Sequence, residues 1–331
     1  MTGPRAAVDV VVPTVGRPTL PTLLHPLSRT LPAGSTIVVV DDRPAPRPPL
    51  AFGVDDSRLR VVRSGGRGPA AARNAGWRAC DAPWVAFVDD DIDPAIGWAR
   101  QLCAEVAEAG PAVGAIQGRV EVPLAAGRRP TDWERNVAGL DGATWITADM
   151  VVRRAALKDV GGFDERFPRA YREDTDLALR LLDAGWRLRL GQRRMRHPVR
   201  PAPWWVSVPL QRGNADDMLV ARLHGRDWRL RVRAPSGAWS SYPVTVALAG
   251  GALAALAAGR RRAAALAAGA WAVRTGRFAW RRAAPGPRTM RELAAMAVTS
   301  CAIPPAACYY RLRGGLRWRH AECRTRGRGP A

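Results

Sequence analysis

The sequence Trp-Val-Ala-Phe-Val-Asp-Asp-Asp, residues 84–91, joins an apolar run to three consecutive aspartates, and it decides the fold class. The apolar run predicts a buried strand, and the aspartates would follow its carboxyl end, where ligands of open α/β sheets bind. Adjacent carboxylates repel each other unless a cation or donor neutralises them, and their oxygens suit a hard divalent ion. The triplet alone fits equally well a solvated acidic turn that caps a helix from Pro94.

Strands and helices alternate along the first 192 residues. Apolar and β-branched runs predict strands over 7–12, 35–40, 59–63, 84–88, 113–122, 145–152 and 186–190. Helices are predicted over 19–31, 69–79, 94–109, 154–160 and 172–184, and 123–142 is predicted to be a loop. Near-continuous apolar strands fit parallel pairing with both faces buried, so the pattern predicts an α/β fold with a mostly parallel sheet and flanking helices.

Charge and cysteine content limit the function classes. The 331 residues carry a net charge of +22, but residues 1–192 hold 25 basic and 24 acidic side chains, whereas residues 193–331 hold 26 and 5. A basic second part favours polyanionic partners such as anionic lipid or nucleic acid. Five cysteines without a Cys-x-x-Cys pair argue against structural zinc and a disulfide framework. No signal peptide is evident, so a cytoplasmic location is expected.

The composition predicts two domains, 1–200 and 201–331, of which the second is a basic, Ala- and Arg-rich helical region. Its apolar stretches, 244–273 and 293–310, are interrupted by Arg260–Arg262 and by Pro304-Pro305. Each uninterrupted piece is shorter than the roughly 20 residues that span a bilayer. Flanking arginines and tryptophans favour an interfacial or re-entrant contact with an anionic membrane surface over a soluble helical hairpin.

Six motifs in the first part resemble the family 2 glycosyltransferases, which have the GT-A fold. The resemblance covers roughly residues 7–198 and rests on the motifs at 10–18 (Val-Val-Val-Pro-Thr-Val-Gly-Arg-Pro), 38–42 (Val-Val-Val-Asp-Asp), 68–76 (Gly-Pro-Ala-Ala-Ala-Arg-Asn-Ala-Gly), 87–91 (Phe-Val-Asp-Asp-Asp), 160–167 (Val-Gly-Gly-Phe-Asp-Glu-Arg-Phe) and 172–180 (Arg-Glu-Asp-Thr-Asp-Leu-Ala-Leu-Arg). It implies a nucleotide-sugar donor, a divalent cation (Mg²⁺ or Mn²⁺) and inversion at the anomeric carbon.

The resemblance also implies a metal site. Asp89 and Asp91 match the two aspartates of the family's Asp-x-Asp motif, with Asp91 as the direct ligand and Asp89 as a partner of the ribose or of a metal-bound water. Asp90 is expected to point away, because neighbours on a strand face opposite sides. His197 matches a further metal ligand of some members, although a lone histidine is often structural.

The positions expected to bind the nucleotide lie at strand ends and on one helix. Asp41 and Asp42 match carboxylates that contact the base or ribose, Pro13 and Thr14 would line the base pocket, and Arg73 would contact base or phosphate. The alternatives are a solvated strand end followed by a turn for the two aspartates and a helix-surface arginine for Arg73.

An inverting transfer needs a base that takes the proton of the acceptor hydroxyl. The family places this carboxylate in the pair Glu173-Asp174, with Asp174 as the candidate base and Glu173 as its nearest rival. Helix capping is the alternative for both residues. Asp149 stands where the family often has Asn or a small residue near the acceptor, which leaves the acceptor contacts open.

No complete Gln-x-x-Arg-Trp motif is present, which favours transfer of a single sugar over processive synthesis. The expected acceptor is a glycan, lipid or small molecule of the bacterial cell envelope, reached at the inner face of the plasma membrane. The alternatives are a basic nucleic-acid-binding protein and a membrane-associated scaffold with a decayed transferase domain. The chain lacks a recognisable nucleic-acid module.

Overall fold

The structure, a computed structural model, describes residues 8–235 and 241–323. It divides into two compact units. The first contains the described residues up to Pro123 together with Gly139–Pro198 and Leu230–Ala234, and the second contains Leu124–Ala138, Val199–Arg229 and the described residues from Pro235 onward. The second unit thus includes a segment, 124–138, that a division at residue 200 would place in the first.

The first unit is built on one eight-stranded sheet. Its strands are β1 (Val8–Thr14), β2 (Ile37–Asp41), β3 (Leu59–Arg63), β4 (Trp84–Val88), β5 (Asp93–Pro94), β6 (Val113–Glu121), β7 (Asp149–Arg153) and β8 (Arg187–Arg196). They are ordered β3-β2-β1-β4-β7-β6-β8-β5. The pairs β3-β2, β2-β1, β1-β4 and β6-β8 are parallel, and β4-β7, β7-β6 and β8-β5 are antiparallel. The mostly parallel sheet expected from the sequence is therefore present.

The described helices follow the chain in this order: α1 (Leu20–Thr30), α2 (Pro69–Arg78), α3 (Trp98–Ala107), α4 (Asp132–Ala138), α5 (Arg154–Val160), α6 (Glu173–Asp183), a 3₁₀ turn (Pro209–Arg212), α7 (Gly213–His224), α8 (Trp228–Arg231), α9 (Tyr242–Ala257), α10 (Arg261–Ala283) and α11 (Met290–Arg317). Helices α1, α2, α3, α5 and α6 flank the sheet of the first unit. Helices α4, α7, α9, α10 and α11 belong to the second unit.

The two faces of the sheet carry separate hydrophobic cores, because side chains alternate along each strand. Val10 and Val12 face the core that is covered by α1 and α3. Val11 faces the opposite core, which is covered by α2, α5 and α6. Burial on both faces explains why β1, β2 and β4 read as continuous apolar runs.

Helix α2 lies unusually close to the sheet. A Cβ added at Gly76 would meet the side chain of Val11 at 2.3 Å, so glycine is required for this approach. Pro69 begins the helix, where its missing N–H has no intrahelical partner to lose. The close packing brings Arg73, in the middle of the helix, to the carboxyl edge of the sheet.

Several predicted boundaries differ from the structure. The helix expected from Pro94 begins at Trp98, because Asp93 and Pro94 pair with β8 instead. The closing strand runs to Arg196 rather than to residue 190, since it pairs with both β6 and β5. The strand expected from 145 begins at Asp149, and the predicted loop 123–142 contains α4. Residue 7 of the first predicted strand lies outside the described residues.

In the second unit, helices α4, α10 and α11 are joined by hydrogen bonds of Arg282. Arg282 of α10 donates to the Asp132 carboxylate (2.6 Å), which ties α4 to α10. The same guanidinium donates to the hydroxyls of Ser207, Thr299 and Ser300 at 2.8–3.0 Å, which adds α11 to the cluster. Hydrogen bonds to a charged donor are stronger than neutral ones, so this cluster fixes three helices together.

Helix α11 continues through Pro304-Pro305, so the interruption predicted there is wrong. An interior proline costs about 3 kcal/mol, and packing of Ile303, Pro304 and Ala307 against the rest of the unit offsets it. Among the described helices, α11 alone is long and apolar enough to cross a membrane by length and composition, and 39 % of its most apolar stretch is buried. A core helix of a soluble protein has the same character.

Candidate active site

The carboxyl ends of β1 and β4 are joined by hydrogen bonds. Thr14, the last residue of β1, donates its hydroxyl to Asp90, and the Arg17 guanidinium donates to the same carboxylate. Asp90 is 1 % exposed, and this burial raises the pKa of its carboxyl group. Its side chain therefore turns toward β1, where Pro13 and Thr14 lie, and away from Asp89, which contacts α2. Arg17 is a site residue that sequence reasoning missed, although it stands inside the first quoted motif.

Asp41 and Asp42 follow β2 and have different partners. Asp41 accepts two hydrogen bonds from the Arg43 guanidinium, both at 2.8 Å, and this contact holds the pKa of the Asp41 carboxyl below its ordinary value. Asp42 accepts from the Ser64 hydroxyl (2.7 Å) and from the backbone N–H of Gly68 (3.0 Å), just before α2. The Asp41 Oδ2 and both oxygens of Asp42 each accept one of these hydrogen bonds and keep a second lone pair, so both residues can still accept from a ligand.

Arg73 connects the aspartate triplet to the start of α6. Its guanidinium donates to Asp89 (2.9 Å) and to Glu173 (2.7 Å), and its side chain is 3 % exposed. The sequence predicts contact of this arginine with base or phosphate, whereas the structure places it between two protein carboxylates. The Asp89 side chain remains 29 % exposed, so the bridge is open at that end.

The same bridge is incompletely satisfied. The Nε–H of Arg73 and the second carboxylate oxygen of Glu173 are buried and have no hydrogen-bond partner in the part of the chain that the structure describes. Burial and the neighbouring Asp174 raise the pKa of Glu173 to about 8, although Arg73 opposes the shift. A strongly perturbed carboxyl group of this kind is typical of functional sites.

Asp174 lies beside this bridge in the first turn of α6. It is more exposed than Glu173, and its carboxylate accepts from the N–H of Thr175 at 2.6 Å. Desolvation raises the pKa of Asp174, while Arg73 lowers it. Because two neighbouring carboxyl groups titrate as a pair, the pair keeps a proton to a higher pH than either group would in water.

Asp91 and His197 form the candidate metal centre. The His197 Nε2 lies 3.8 Å from the Asp91 Oδ1, and both side chains are largely buried. Divalent ions hold their ligands at about 2.0–2.6 Å, so both atoms can contact one ion, and oxygen with imidazole nitrogen suits Mn²⁺ or Mg²⁺. Asp89 accepts a hydrogen bond from Arg73 and is not part of this pair. Among residues 8–235 and 241–323, no group of three or more His, Cys, Asp or Glu side chains could hold a metal ion.

Asp149 lies in a buried ionic cluster in the structure. It accepts from Arg193 Nε (2.8 Å) and from the Trp98 indole (3.1 Å), and Arg193 also pairs with Glu105. Asp149 and Arg193 are both 0 % exposed. The aspartate therefore supports β7, α3 and β8 from within the core, and no motif in the sequence indicates this cluster.

Comparisons with known proteins identify a family that the first part of the chain matches. Residues 9–167 match the model of Glycosyl transferase family 2. The chain is 37 % identical over 137 residues to the pre-mycofactocin glycosyltransferase of Mycobacterium tuberculosis, in strains CDC 1551 / Oshkosh and ATCC 25618 / H37Rv. The match covers 37 % of this chain, and it spans only 28 % of the length of those curated relatives.

A solved structure of GalNAc-T7 with UDP, GalNAc and Mn²⁺ resembles the fold, with a TM-score of 0.51 and 17 % identity. The match covers 67 % of this chain and 50 % of that one, and at this identity it shows the fold alone. Residues 9–167 thus form a domain that matches the family 2 glycosyltransferases, and the sheet has the GT-A fold that the sequence predicts.

Proposed function

We propose that this chain is an inverting, metal-dependent glycosyltransferase that moves a single sugar from a nucleotide-sugar donor to an acceptor hydroxyl. The observation that carries the proposal is the open bridge Asp89–Arg73–Glu173, which joins the aspartate triplet to Glu173, the residue before the candidate base Asp174. The match of residues 9–167 to the model of Glycosyl transferase family 2 supports the reaction class.

In the proposed transfer, one proton moves from the acceptor to the protein and one leaving group departs from the donor. Asp174 takes the proton of the acceptor hydroxyl as its oxygen forms a bond to the anomeric carbon. The bond between that carbon and the diphosphate oxygen breaks, and the electron pair leaves with the nucleoside diphosphate. Attack from the face opposite the leaving group inverts the anomeric carbon.

In this proposal Asp91 and His197 would hold the divalent cation, and Asp89 would contact the ribose or a metal-bound water. When bound, the cation neutralises the charge that develops on the departing diphosphate. Thr14, Asp41 and Asp42 contact the base and ribose, and Pro13 lines the same pocket. Arg73 acts as a positioning residue, because its guanidinium is buried between Asp89 and Glu173.

A thermal-shift screen of nucleoside diphosphates with and without Mn²⁺ tests the donor assignment. Because the solved relative contains UDP and Mn²⁺, this pair is the first probe. A ligand that binds only the folded state raises the melting temperature. At a ligand concentration 100 times its Kd, the free energy of unfolding should increase by about 2.7 kcal/mol. The proposal requires that one nucleotide stabilises the protein and that Mn²⁺ increases the effect.

Matched aspartate variants make the screen specific. Asp91→Ala should remove the Mn²⁺-dependent part of the shift, since it deletes a proposed ligand. Asp81→Ala is the control, because the side chain of Asp81 is 87 % exposed on the same unit. No stabilisation by any nucleotide with Mn²⁺, or equal loss in both variants, would contradict the proposed function.

We also propose that the second unit contacts an anionic membrane surface, where a lipid-linked or envelope acceptor would be reached from the cytoplasm. Leu253, Leu256 and Leu266 on α9 and α10 are 59–76 % exposed, and Arg260–Arg262 lie at the turn between these helices. Flotation with vesicles of phosphatidylcholine, with and without phosphatidylglycerol, measures this contact. The proposed membrane contact would be refuted if binding did not depend on phosphatidylglycerol. It would also be refuted if the triple variant Arg260→Gln/Arg261→Gln/Arg262→Gln bound the vesicles as well as the wild type.

A further inference from the structure

A cavity in the first unit lies on the outer strands of the sheet. It has a volume of about 760 Å³, within the range of small-molecule sites. Its walls come from β6, β8 and the loop before β7, and its lining includes Gln117, Arg119, Glu121, Asp141, Arg194 and Arg196. None of these residues belongs to the candidate active site.

The loop wall of this cavity is fixed by side chains. The Gln117 amide donates to the carbonyl of Ala143 (2.8 Å) and accepts from the N–H of Ile146 (2.9 Å). The Thr144 hydroxyl donates to the carbonyl of Val232 at 2.7 Å. A wall held at three points is preformed, so a ligand would not have to order it.

The three arginines are brought together by an irregularity in β8. Gln117 pairs with Leu190, but two residues later Arg119 pairs with Arg194, so β8 contains two additional residues there. A bulge of this kind re-aims the side chains that follow it. The backbone N–H groups of Gln192 and Arg193 donate to Glu105, which holds the bulge in place.

The resulting cluster has an excess of unpaired positive charge. Paired strands lie about 4.8 Å apart and alternate residues about 7 Å apart, so Arg119, Arg194 and Arg196 start from neighbouring positions on one face. Arg194 pairs with Glu121 at 2.6 Å, and that pair is exposed. Within the described residues, Arg119 and Arg196 have no carboxylate within 4 Å. An exposed ion pair is worth about 0–1 kcal/mol, so a ligand anion can readily replace it.

We infer that this cavity binds a phosphate group of the acceptor substrate. Two free guanidinium groups and one weakly paired group offer more donors than the two oxygens of a carboxylate can accept, whereas a phosphate ester presents three free oxygens. Asp141, on the loop wall, can accept hydrogen bonds from hydroxyl groups of the same molecule. The acceptor class is therefore a phosphorylated, hydroxyl-bearing molecule.

The position of the cavity suits an acceptor site. Arg196 is followed directly by His197. The backbone N–H of His197 donates to the carbonyl of Glu121 at 2.8 Å, and its ring Nε2 lies 3.8 Å from the Asp91 Oδ1. The cavity lining and the candidate metal centre thus include consecutive residues of the chain, Arg196 and His197. The identification of the ligand as the acceptor rests on the proposed function, but binding of phosphate does not.

Titration of the full-length protein with methyl phosphate, followed by ³¹P NMR without divalent ions, tests the site. The double variant Arg119→Gln/Arg196→Gln should raise the Kd at least tenfold. Arg187→Gln is the matched control, because Arg187 is exposed on the same strand but does not line the cavity, and its Kd should stay within twofold. Acetate should bind at least tenfold more weakly than methyl phosphate.

Equal Kd values in the wild type and the double variant, equal weakening in the control, or acetate binding as tight as methyl phosphate would overturn the inference. Thermal shift with nucleotide and Mn²⁺ on the same variants reports the donor site separately. If nucleotide with Mn²⁺ gives no thermal shift in the wild type, but methyl phosphate still binds through Arg119 and Arg196, the proposed function is refuted and the phosphate site is still supported. Retention of the nucleotide shift in the double variant also shows that the variant is folded.

The source of the phosphate is distinguished by competition. Phosphatidylcholine vesicles that contain phosphatidic acid should displace methyl phosphate from the wild type if the acceptor phosphate belongs to a lipid. Without displacement, the acceptor is a soluble phosphate ester. Either result is consistent with the site, since both ligands present the same group to the arginines.

Discussion

Two arginines in the first unit each lie between two carboxylates, and they differ in how completely they are satisfied. Arg193 pairs with Glu105 and Asp149 and also donates to the carbonyls of Ile116 (2.7 Å) and Asp149 (3.2 Å). Arg73 pairs with Asp89 and Glu173 but leaves a buried Nε–H without a partner among the described residues. The first cluster is closed to solvent, and the second opens through Asp89.

The difference separates a structural role from a chemical one. A buried charge cluster whose donors and acceptors are all paired holds its surroundings in one arrangement. A charge cluster with unpaired buried polar atoms makes the folded state less stable. Such atoms are usually found where a ligand supplies the missing hydrogen bonds. The Arg193 cluster should therefore govern stability, and the Arg73 bridge should govern the reaction.

Loss of the candidate base has the largest expected effect on the reaction. Asp174→Asn should lower turnover by about 10²–10⁴-fold, because general base catalysis contributes an acceleration of this order. Nucleotide binding with Mn²⁺ should persist, since Asp174 takes no part in it. Transfer is measured with the donor that the thermal-shift screen identifies.

A control on the same helix shows whether the effect is local. Asp183, at the far end of α6, pairs with Arg231 on the surface, so Asp183→Asn should keep turnover within about twofold. Normal transfer by the Asp174→Asn enzyme would place the base elsewhere, and Glu173→Gln would then be the next variant to assay.

Replacement of each central arginine compares the two clusters directly. Arg193→Leu strands two buried carboxylates and should lower stability by about 3–5 kcal/mol, the usual result of removing one partner of a buried pair. Arg73→Leu should destabilise less, because Asp89 reaches solvent, but it should abolish transfer. Thermal unfolding and hydrogen exchange of β6 and β8 measure the first effect, and equal destabilisation by both variants would erase the distinction.

The candidate metal centre should respond more modestly to the loss of one ligand. His197→Ala should raise the Mn²⁺ concentration for half-maximal nucleotide stabilisation by about tenfold, since Asp91 and the diphosphate would remain as ligands. His25→Ala is the control, because His25 is exposed on α1. An unchanged Mn²⁺ requirement in the His197 variant would remove His197 from the metal centre.

The sequence predicted the parts of the fold that depend on local pattern. The buried runs of β1, β2 and β4 and the amphipathic α6 follow from side-chain periodicity, and Gly68-Pro69 marks the start of α2. The partners of Arg73 and Arg193 could not be predicted, because they join residues 16–100 positions apart in the chain. The continuity of α11 through two prolines depends likewise on packing that no local pattern records.

The remaining expected effect is a pH dependence of stability that the open bridge should show. The folded protein raises the pKa of Glu173 from 4.5 to about 8, so this group contributes its full stability below pH 4.5 and loses it as the pH rises through 8. Glu173→Gln stays neutral, and its melting temperature should therefore rise relative to the wild type between pH 5 and pH 8.5.

Glu134 provides a control of opposite sign. Arg128 lowers the pKa of Glu134 to about 2, so its contribution is present above pH 4.5 and is lost only as the pH falls toward 2. The difference between Glu134→Gln and the wild type should consequently stay constant from pH 5 to pH 8.5. If Glu173→Gln is equally flat over this range, the Glu173 carboxyl is ionised beside Arg73 at neutral pH. The bridge would then be a satisfied ion pair like that of Arg193, and the contrast between the two clusters would fail at its most sensitive point.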